Sequence, residues 1–235
     1  MVEPALYLIP VPLSDVPPAQ VLPAPNLALV SHLRHFVVEN VRSARRFLKR
    51  CDPSIDIDSL TFAELNGHTP ATAVEAMLAP LERGEAVGVI SEAGCPAVAD
   101  PGADVVAIAQ RRGWRVVPLV GPSSILMGLM GSGFNGQSFA FLGYLPIDVS
   151  GRARKLKEMV RRIDHEDQTQ IFIETPYRNE RLLADLVQQL PPRLRLCVAT
   201  DITGPAERIV TRTIGQWSGT ALQVGKVPTI FLLYK

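Results

Sequence analysis

Ala86-Val87-Gly88-Val89-Ile90 runs without a charge into Ser91-Glu92-Ala93-Gly94-Cys95-Pro96-Ala97-Val98-Ala99-Asp100-Pro101-Gly102, and Ala103 to Arg112 then reads as a helix. A short continuous apolar run is how a strand covered on both faces looks, and strands of parallel sheets are covered that way. Such sheets bind ligands outside the carboxyl ends of their strands. The loop after Ile90 is therefore where function is expected first.

The same rhythm extends to either side. Ala5 to Val11, Phe36 to Val38, Leu60 to Leu65 and Arg115 to Val120 read as further strands. Pro17, Pro18, Pro23 and Pro25 suggest a stiff loop, with Asn26 capping a short helix through Leu33. From Val41 the pattern turns helical, with Ala44 and Leu48 on one face and Arg42, Arg45, Arg46 and Lys49 on another. Thr69-Pro70 predicts a helix start, with the helix running to Gly84. Alternating strands and helices imply a parallel sheet with helices on both faces. The loops near residues 12, 91 and 121 all follow strands and should share one rim.

Gly128, Gly131, Gly133 and Gly136 read as a break, after which Phe139 to Tyr144 restarts a sheet. A basic helix over Gly151 to Ile163, a strand at Gln170 to Glu174 and a helix at Tyr177 to Leu190 follow. Strands at Leu194 to Thr200, Arg208 to Ile214 and Thr229 to Tyr234 come close together, which predicts a mixed sheet. The expected fold class is α/β with two α/β domains, 1–121 mostly parallel and 122–235 mixed.

The 235 residues are 47% hydrophobic and 20% charged, the balance of a globular chain with a sizeable core. Cys51, Cys95 and Cys197 form no C-x-x-C pair and are odd in number, which favours reduced thiols over a disulfide framework. The start lacks the basic flank and cleavage site of a signal peptide, and no apolar run reaches the ~20 residues of a membrane span. A cytoplasmic protein without membrane contact is expected. The net charge of +1 does not announce a nucleic-acid binder. Two patches nevertheless concentrate positive charge: the Arg42 to Lys49 stripe, and Arg152, Arg154, Lys155, Lys157, Arg161 and Arg162. The second fits phosphate contact and a solvated helix face equally well, whereas the first favours the solvated face.

The 91–102 loop offers no triad and no metal set, so no metal is expected. Its glycines and prolines fix backbone shape and leave N–H and C=O groups to face a ligand, although a stiff connection has an equal claim. Gly121-Pro122-Ser123-Ser124 opens a helix and suits either an anion or a plain cap. A P-loop and a dinucleotide fingerprint are both absent. His32 and His35 lack a third ligand, and His68 sits in a loop that reads best as a surface turn. Glu92 and Asp100 suit either ligand contact or satisfaction of loop amides.

Leu6-Tyr7-Leu8-Ile9 before a proline loop, Ile90 to Gly102, Val117 to Ser124, Phe141-Leu142-Gly143-Tyr144-Leu145-Pro146, and Phe172-Ile173-Glu174-Thr175-Pro176-Tyr177-Arg178 together span nearly the whole chain. In that order they resemble the tetrapyrrole-methylase family of S-adenosylmethionine-dependent methyltransferases, most of all its bacterial small-subunit rRNA 2′-O-ribose branch. The resemblance implies two α/β domains with S-adenosylmethionine held between them, a homodimer, ribosomal RNA as acceptor and no metal. It implies cofactor contacts at Pro12, Ser91, Gly94, Pro96, Val98, Asp100, Ser123, Ser124, Phe141, Thr200 and Pro228. Glu39 and Glu92 are the candidate bases, and Arg152, Arg154, Lys155 and Arg161 the candidate RNA contacts. The apolar Ile125 to Met130 helix, with Gly128 and Gly131 permitting close approach, is the candidate dimer surface.

The chain departs from that branch where a Thr-Pro-Ile-Gly-Asn loop becomes Val11-Pro12-Leu13-Ser14-Asp15. A Glu-Asp-Thr-Arg segment becomes Glu39-Asn40-Val41-Arg42, a late lysine is missing from Thr200-Asp201-Ile202-Thr203, and the chain stops at Lys235 without an extra C-terminal domain. A shorter paralogue is thus expected. The alternatives are methylation of a small molecule such as a tetrapyrrole, or a non-catalytic paralogue that binds cofactor or RNA.

Overall fold

The computed structural model describes residues 2–67, 69–219 and 224–235, so His68 lies outside the described residues. The chain divides after Ser123 into two units, 1–123 and 124–235.

Unit 1 begins with β1 (Leu6–Ile9), whose four side chains are all buried. The prolines that follow build helices rather than a loop. Pro17 and Pro23 sit at the N-caps of α1 (Pro18–Val21) and α2 (Ala24–Val30), each with a proline in its first turn. Proline is tolerated there because the first N–H groups of a helix lack intrahelical partners anyway. Asn26, expected as a cap, is instead buried inside α2.

β2 (His35–Val38) leads to Asn40, whose side chain accepts hydrogen bonds from the Arg42 and Ser43 amides and starts α3 (Val41–Cys51). A 3-10 turn (Ile57–Ser59) and β3 (Thr61–Glu64) follow. The single helix expected from Thr69 to Gly84 is two: α4 (Ala71–Ala76), capped at Pro70, and α5 (Ala79–Glu82). Pro80 in the first turn of α5 supplies no N–H to continue α4. β4 (Val87–Ile90), α6 (Gly102–Arg112) and β5 (Val116–Pro118) complete the unit.

The sheet order is β3-β2-β4-β1-β5, parallel throughout. Successive residues face opposite sides, as strand geometry requires. Tyr7, Ile9, Phe36 and Val38 pack with Ala44, Phe47 and Leu48 of α3. Leu6, Leu8, Val37, Val87 and Val89 pack with Val105, Ile108 and Ala109 of α6. Two cores on one sheet hold the carboxyl ends of β1, β4 and β5 side by side.

Unit 2 starts with α7 (Ser124–Ser132) and continues through β6 (Phe139–Tyr144), α8 (Val149–Glu166), β7 (Thr169–Ile173), α9 (Asn179–Gln189), β8 (Arg195–Thr200), β9 (Arg208–Thr213), α10 (Ile214–Ser218) and β10 (Thr229–Tyr234). α10, not foreseen from sequence, opens with a capping box between Thr213 and Gln216. The sheet runs β6-β7-β10-β8-β9 and is mixed, only β6 and β7 being parallel to each other.

Its main core unites Leu156, Met159 and Ile163 of α8 with Leu182, Leu183 and Leu186 of α9 around Phe172 and Phe231. The glycines expected to end α7 partly lie inside it. A methyl on Gly128 would sit 3.0 Å from Ile230, and one on Gly131 would sit 2.8 Å from Ile209. They let α7 lie close on its own sheet, so the dimer contact expected through these glycines is corrected: that face is used within the unit. Among the described residues no helix is long and apolar enough to cross a membrane.

Candidate functional site

The carboxyl-terminal rim of the first sheet is tied together by backbone. Val11 N–H donates to the Gly94 carbonyl at 2.9 Å, and Gly94 N–H returns to Val11 at 3.1 Å. Gly94 has φ +71, and a methyl there would meet Leu13 at 3.0 Å and the Pro122 carbonyl at 3.4 Å. The position thus requires glycine for both conformation and space. The Cys95 thiol donates to the Pro122 carbonyl at 3.4 Å, and the Asn26 amide donates to that of Val120 at 2.7 Å. Gly121 lies so close to Pro10 that a methyl would fall 2.2 Å from the ring. The three loops expected to share a rim are therefore bonded into one surface, which carries Pro12, Ser91, Gly94, Pro96, Val98, Asp100 and Ser123.

Asp100 organises the middle loop. One of its carboxylate oxygens accepts from Ala97 N–H at 3.0 Å and Gly102 N–H at 2.7 Å. The turn so closed holds Ala97 at φ 65 and Ala99 at φ 63, left-handed conformations unfavourable for a residue with a Cβ by roughly 1–2 kcal/mol each. Backbone strain of this kind persists only where the surroundings over-determine it. Its product is a shaped edge from which Val98 projects, 49% exposed. Burial pushes the Asp100 carboxyl above its ordinary range, opposed by the loop amides that donate to it. Ser91 Oγ is buried with no hydrogen-bond partner among the described residues. An orphaned hydroxyl beside a rigid apolar edge suits a ligand with both polar and apolar parts, which is the character of S-adenosylmethionine.

Glu39 follows β2 and stands beside this loop, its N–H donating to the Ile90 carbonyl at 3.3 Å. Burial raises its pKa, the Glu92 backbone N–H opposes the rise, and the charges of Asp100 and Glu92 add to it. Glu92 is exposed and accepts from Ser43 Oγ at 2.7 Å, which fastens the first turn of α3 to the rim. Of the two candidate bases, Glu39 has the environment that strengthens proton affinity. Burial pushes the Cys51 thiol up to about 12 and raises those of Cys95 and Cys197 as well, which disfavours the thiolate.

The remaining cofactor candidates belong to unit 2. Ser124 is the first residue of α7. Thr200 and Pro228 meet at one end of β8 and β10, where Asp201 N–H donates to the Pro228 carbonyl at 3.0 Å. Phe141 pairs with Ile171, and Ile171 pairs with Leu232. Leu232 is three residues beyond Thr229, so Phe141 lies about 10 Å along the strands from the Thr200 end. Sequence reasoning quoted Glu174 to Arg178 without giving it a role. Glu174 is buried and binds the Arg178 guanidinium, with N–O distances of 2.6 and 2.9 Å, and the Thr175 amide at 2.6 Å. An acid and an arginine four apart after a strand was the available signal.

The basic helix α8 does not present six cations. Arg152 is buried and paired with Asp185 at 2.6 Å, so its assignment to RNA is corrected: it cannot reach a phosphate outside the fold. Lys155 and Arg162 both pair with Glu158 at 3.1 Å, and Arg161 pairs with Glu166 at 3.7 Å. Arg154 and Lys157 are exposed. Among the described residues no group of three or more histidines, cysteines or carboxylates could hold a metal ion.

Residues 31–217 match the family model for tetrapyrrole (corrin/porphyrin) methylases. The chain belongs to the tetrapyrrole methylase family. Curated relatives of this methylase include the ribosomal RNA small subunit methyltransferase I of Mesorhizobium japonicum, 32% identical over 90% of this chain and 68% of the relative. The protein of the same name from Vibrio cholerae is 30% identical over 88% and 67%. Among solved structures, the methyltransferase CobJ superposes with TM-score 0.61 at 16% identity over 92% of this chain and 89% of that one. The Thermus thermophilus uroporphyrin-III C-methyltransferase complexed with S-adenosylhomocysteine does so with TM-score 0.56 at 16% identity over 98% and 97%. At that identity the two structures speak for the shared methylase fold.

Proposed function

We propose that this chain is an S-adenosylmethionine-dependent methyltransferase of small-subunit ribosomal RNA, acting on a ribose 2′-hydroxyl. The observation that carries the reading is the alignment, over nine tenths of the chain, of relatives named as ribosomal RNA small subunit methyltransferases; the ribose 2′-hydroxyl rests on the resemblance drawn from the sequence. The rim fits the cofactor. Ser91 Oγ offers an unused hydroxyl, and Asp100 holds Val98 outward as an apolar contact.

The cofactor, when bound, supplies a methyl group on a positively charged sulfur, an electrophile that needs no metal. The chain supplies position, which accounts for much of the acceleration in such transfers. It also supplies a proton acceptor, and Glu39, its proton affinity raised by burial, takes the proton of the acceptor hydroxyl at its carboxylate. A cytoplasmic homodimer belongs to the same reading. Reduced thiols fit the cytoplasm, and the exposed apolar side chains Met130, Ile147 and Val149 of unit 2 fit a partner copy.

The experiment is mass spectrometry of ribosomal nucleosides from cells with and without the gene, joined to transfer of labelled methyl to unmodified small-subunit RNA in vitro. Loss of one 2′-O-methylated nucleoside in the deletion strain is expected. An unchanged nucleoside profile together with no transfer refutes the reading.

A further inference from the structure

Outside the rim, a strongly charged open groove of about 880 Å³ runs along α3, lined by Val41, Arg42, Arg45, Arg46 and Lys49 and by the 3-10 turn at Asp56 to Asp58. The four cations lie three and four residues apart and share one helix face. We propose that this groove, rather than α8, receives the phosphate backbone of the RNA acceptor; the inference rests on the methyltransferase reading above.

The charge inventory separates the two helices. α3 has five basic residues and no acidic one, whereas α8 carries three acids of its own. The groove lining sets four cations against two carboxylates, and among the described residues Asp58 alone of the two is in an ion pair. Asp58 pairs with Arg45 at 2.7 Å, and Asp56 accepts from the Asp58 amide at 3.2 Å. Outside the groove, Arg50 pairs with Asp15 at 2.9 Å. Lys49 donates to the Pro53 carbonyl at 2.9 Å, a neutral partner. Arg42 and Arg46 are exposed, and among the described residues no carboxylate lies within ion-pair distance of either. Guanidinium groups held this way match phosphate oxygens in charge and geometry.

Position supports the same assignment. From Arg42 to Lys49 the helix rises about 10 Å at 1.5 Å per residue. That length covers about three intervals of ~3.4 Å along the axis of a helical nucleic-acid strand, room for the phosphates that Arg42 and Arg46 would hold. The first turn of α3 is bonded to the rim through Ser43 and Glu92, and Glu39 precedes its cap. A strand lying in the groove is thereby led to the proposed proton acceptor.

The test measures binding of a labelled, unmodified small-subunit rRNA transcript across a potassium chloride series. It compares the wild type with Arg42→Ala/Arg46→Ala, with Arg42→Lys/Arg46→Lys, and with Arg154→Ala/Lys157→Ala on α8. Two lost phosphate contacts to a single strand lower the log–log salt slope by about 1.4 and weaken binding roughly tenfold near 0.15 M salt. The lysine pair should retain the wild-type slope, the α8 pair should change it little, and affinity for S-adenosylhomocysteine should be unchanged throughout. The groove is refuted if the wild type binds the transcript and the α3 alanine pair binds it equally with the same slope, or if the loss falls on the α8 pair instead. Displacement of the transcript by polyglutamate as readily as by polyuridylate would reassign the groove to an acidic polypeptide and likewise overturn the proposal. A wild type that neither binds nor methylates the transcript overturns the rRNA reading itself, and the groove's partner with it.

Discussion

Replacing Asp100 with alanine should release the loop that shapes the rim. Its carboxylate oxygen holds two amides, at 3.0 and 2.7 Å, and hydrogen bonds to a charged acceptor contribute about 1.5–3 kcal/mol each. Burial opposes the charge, as the raised pKa shows, so the net loss should fall near 2–3 kcal/mol rather than at the sum. Ala97 and Ala99 then have nothing to keep them left-handed, and each gains about 1–2 kcal/mol by relaxing. A ligand that needs the native loop must reverse that relaxation, and 2 kcal/mol corresponds to a roughly 30-fold weaker affinity.

Asp100→Asn keeps a neutral oxygen on both amides and should lose about 1 kcal/mol. Ala97→Gly with Ala99→Gly in the alanine background should recover part of the affinity, because glycine accepts positive φ without strain. Hydrogen exchange at the Ala97 and Gly102 amides reports the loop, and calorimetry with S-adenosylhomocysteine reports the site. If Asp100→Ala leaves both amides protected and the affinity unchanged, the carboxylate does not hold the loop and the reasoning fails.

Glu39→Gln should change the pH dependence of stability. The folded-state pKa of Glu39 lies above its ordinary 4.5, so ionising it opposes the fold, and that contribution to stability is lost as pH rises from 4.5 through the raised value. The melting temperature of the glutamine variant should therefore gain on the wild type across that window and run parallel above it, while methyl transfer falls. Parallel melting curves across the whole window would remove Glu39 from the half-buried environment assigned to it. Gly121→Ala places a methyl 2.2 Å from the Pro10 ring, which cannot rotate away, and overpacking of this kind costs about 1–3 kcal/mol. Chemical denaturation should show the loss, and a wild-type midpoint would contradict the close approach. Arg152→Ala leaves Asp185 in a mostly buried setting without its cation and should destabilise by about 3–5 kcal/mol. Its RNA salt slope should match that of the wild type, and a reduced slope would restore Arg152 to an RNA surface.

The parallel sheet was legible because Leu6–Ile9 and Val87–Ile90 are apolar on both faces, a pattern that antiparallel surface strands do not show. The shared rim followed from strand direction alone. What joins the rim did not, because the Val11–Gly94 bonds are made by main chain, which every residue possesses, and so leave no compositional mark. The prolines misled because their fixed φ serves helix starts as readily as loops, and residues 17–25 carry no apolar period long enough to decide. α8 misled in another way. Its six cations are visible in sequence, but Asp185, which neutralises Arg152, comes from another helix. Charge runs report composition, whereas phosphate contact depends on which charges remain unpaired after folding.

The placement of β1 between β4 and β5 bears on how the chain is made. Leu6 pairs with Val87 on one side and Val116 on the other, so β1 waits for two partners synthesised much later. Long-range parallel pairing is slow and leaves strand edges open in the interval. When β5 arrives it closes the sheet with three residues and ends in Pro118, which has no N–H to offer along that border. The strand that completes this side of the sheet therefore also makes its own edge a poor template for a neighbouring nascent chain.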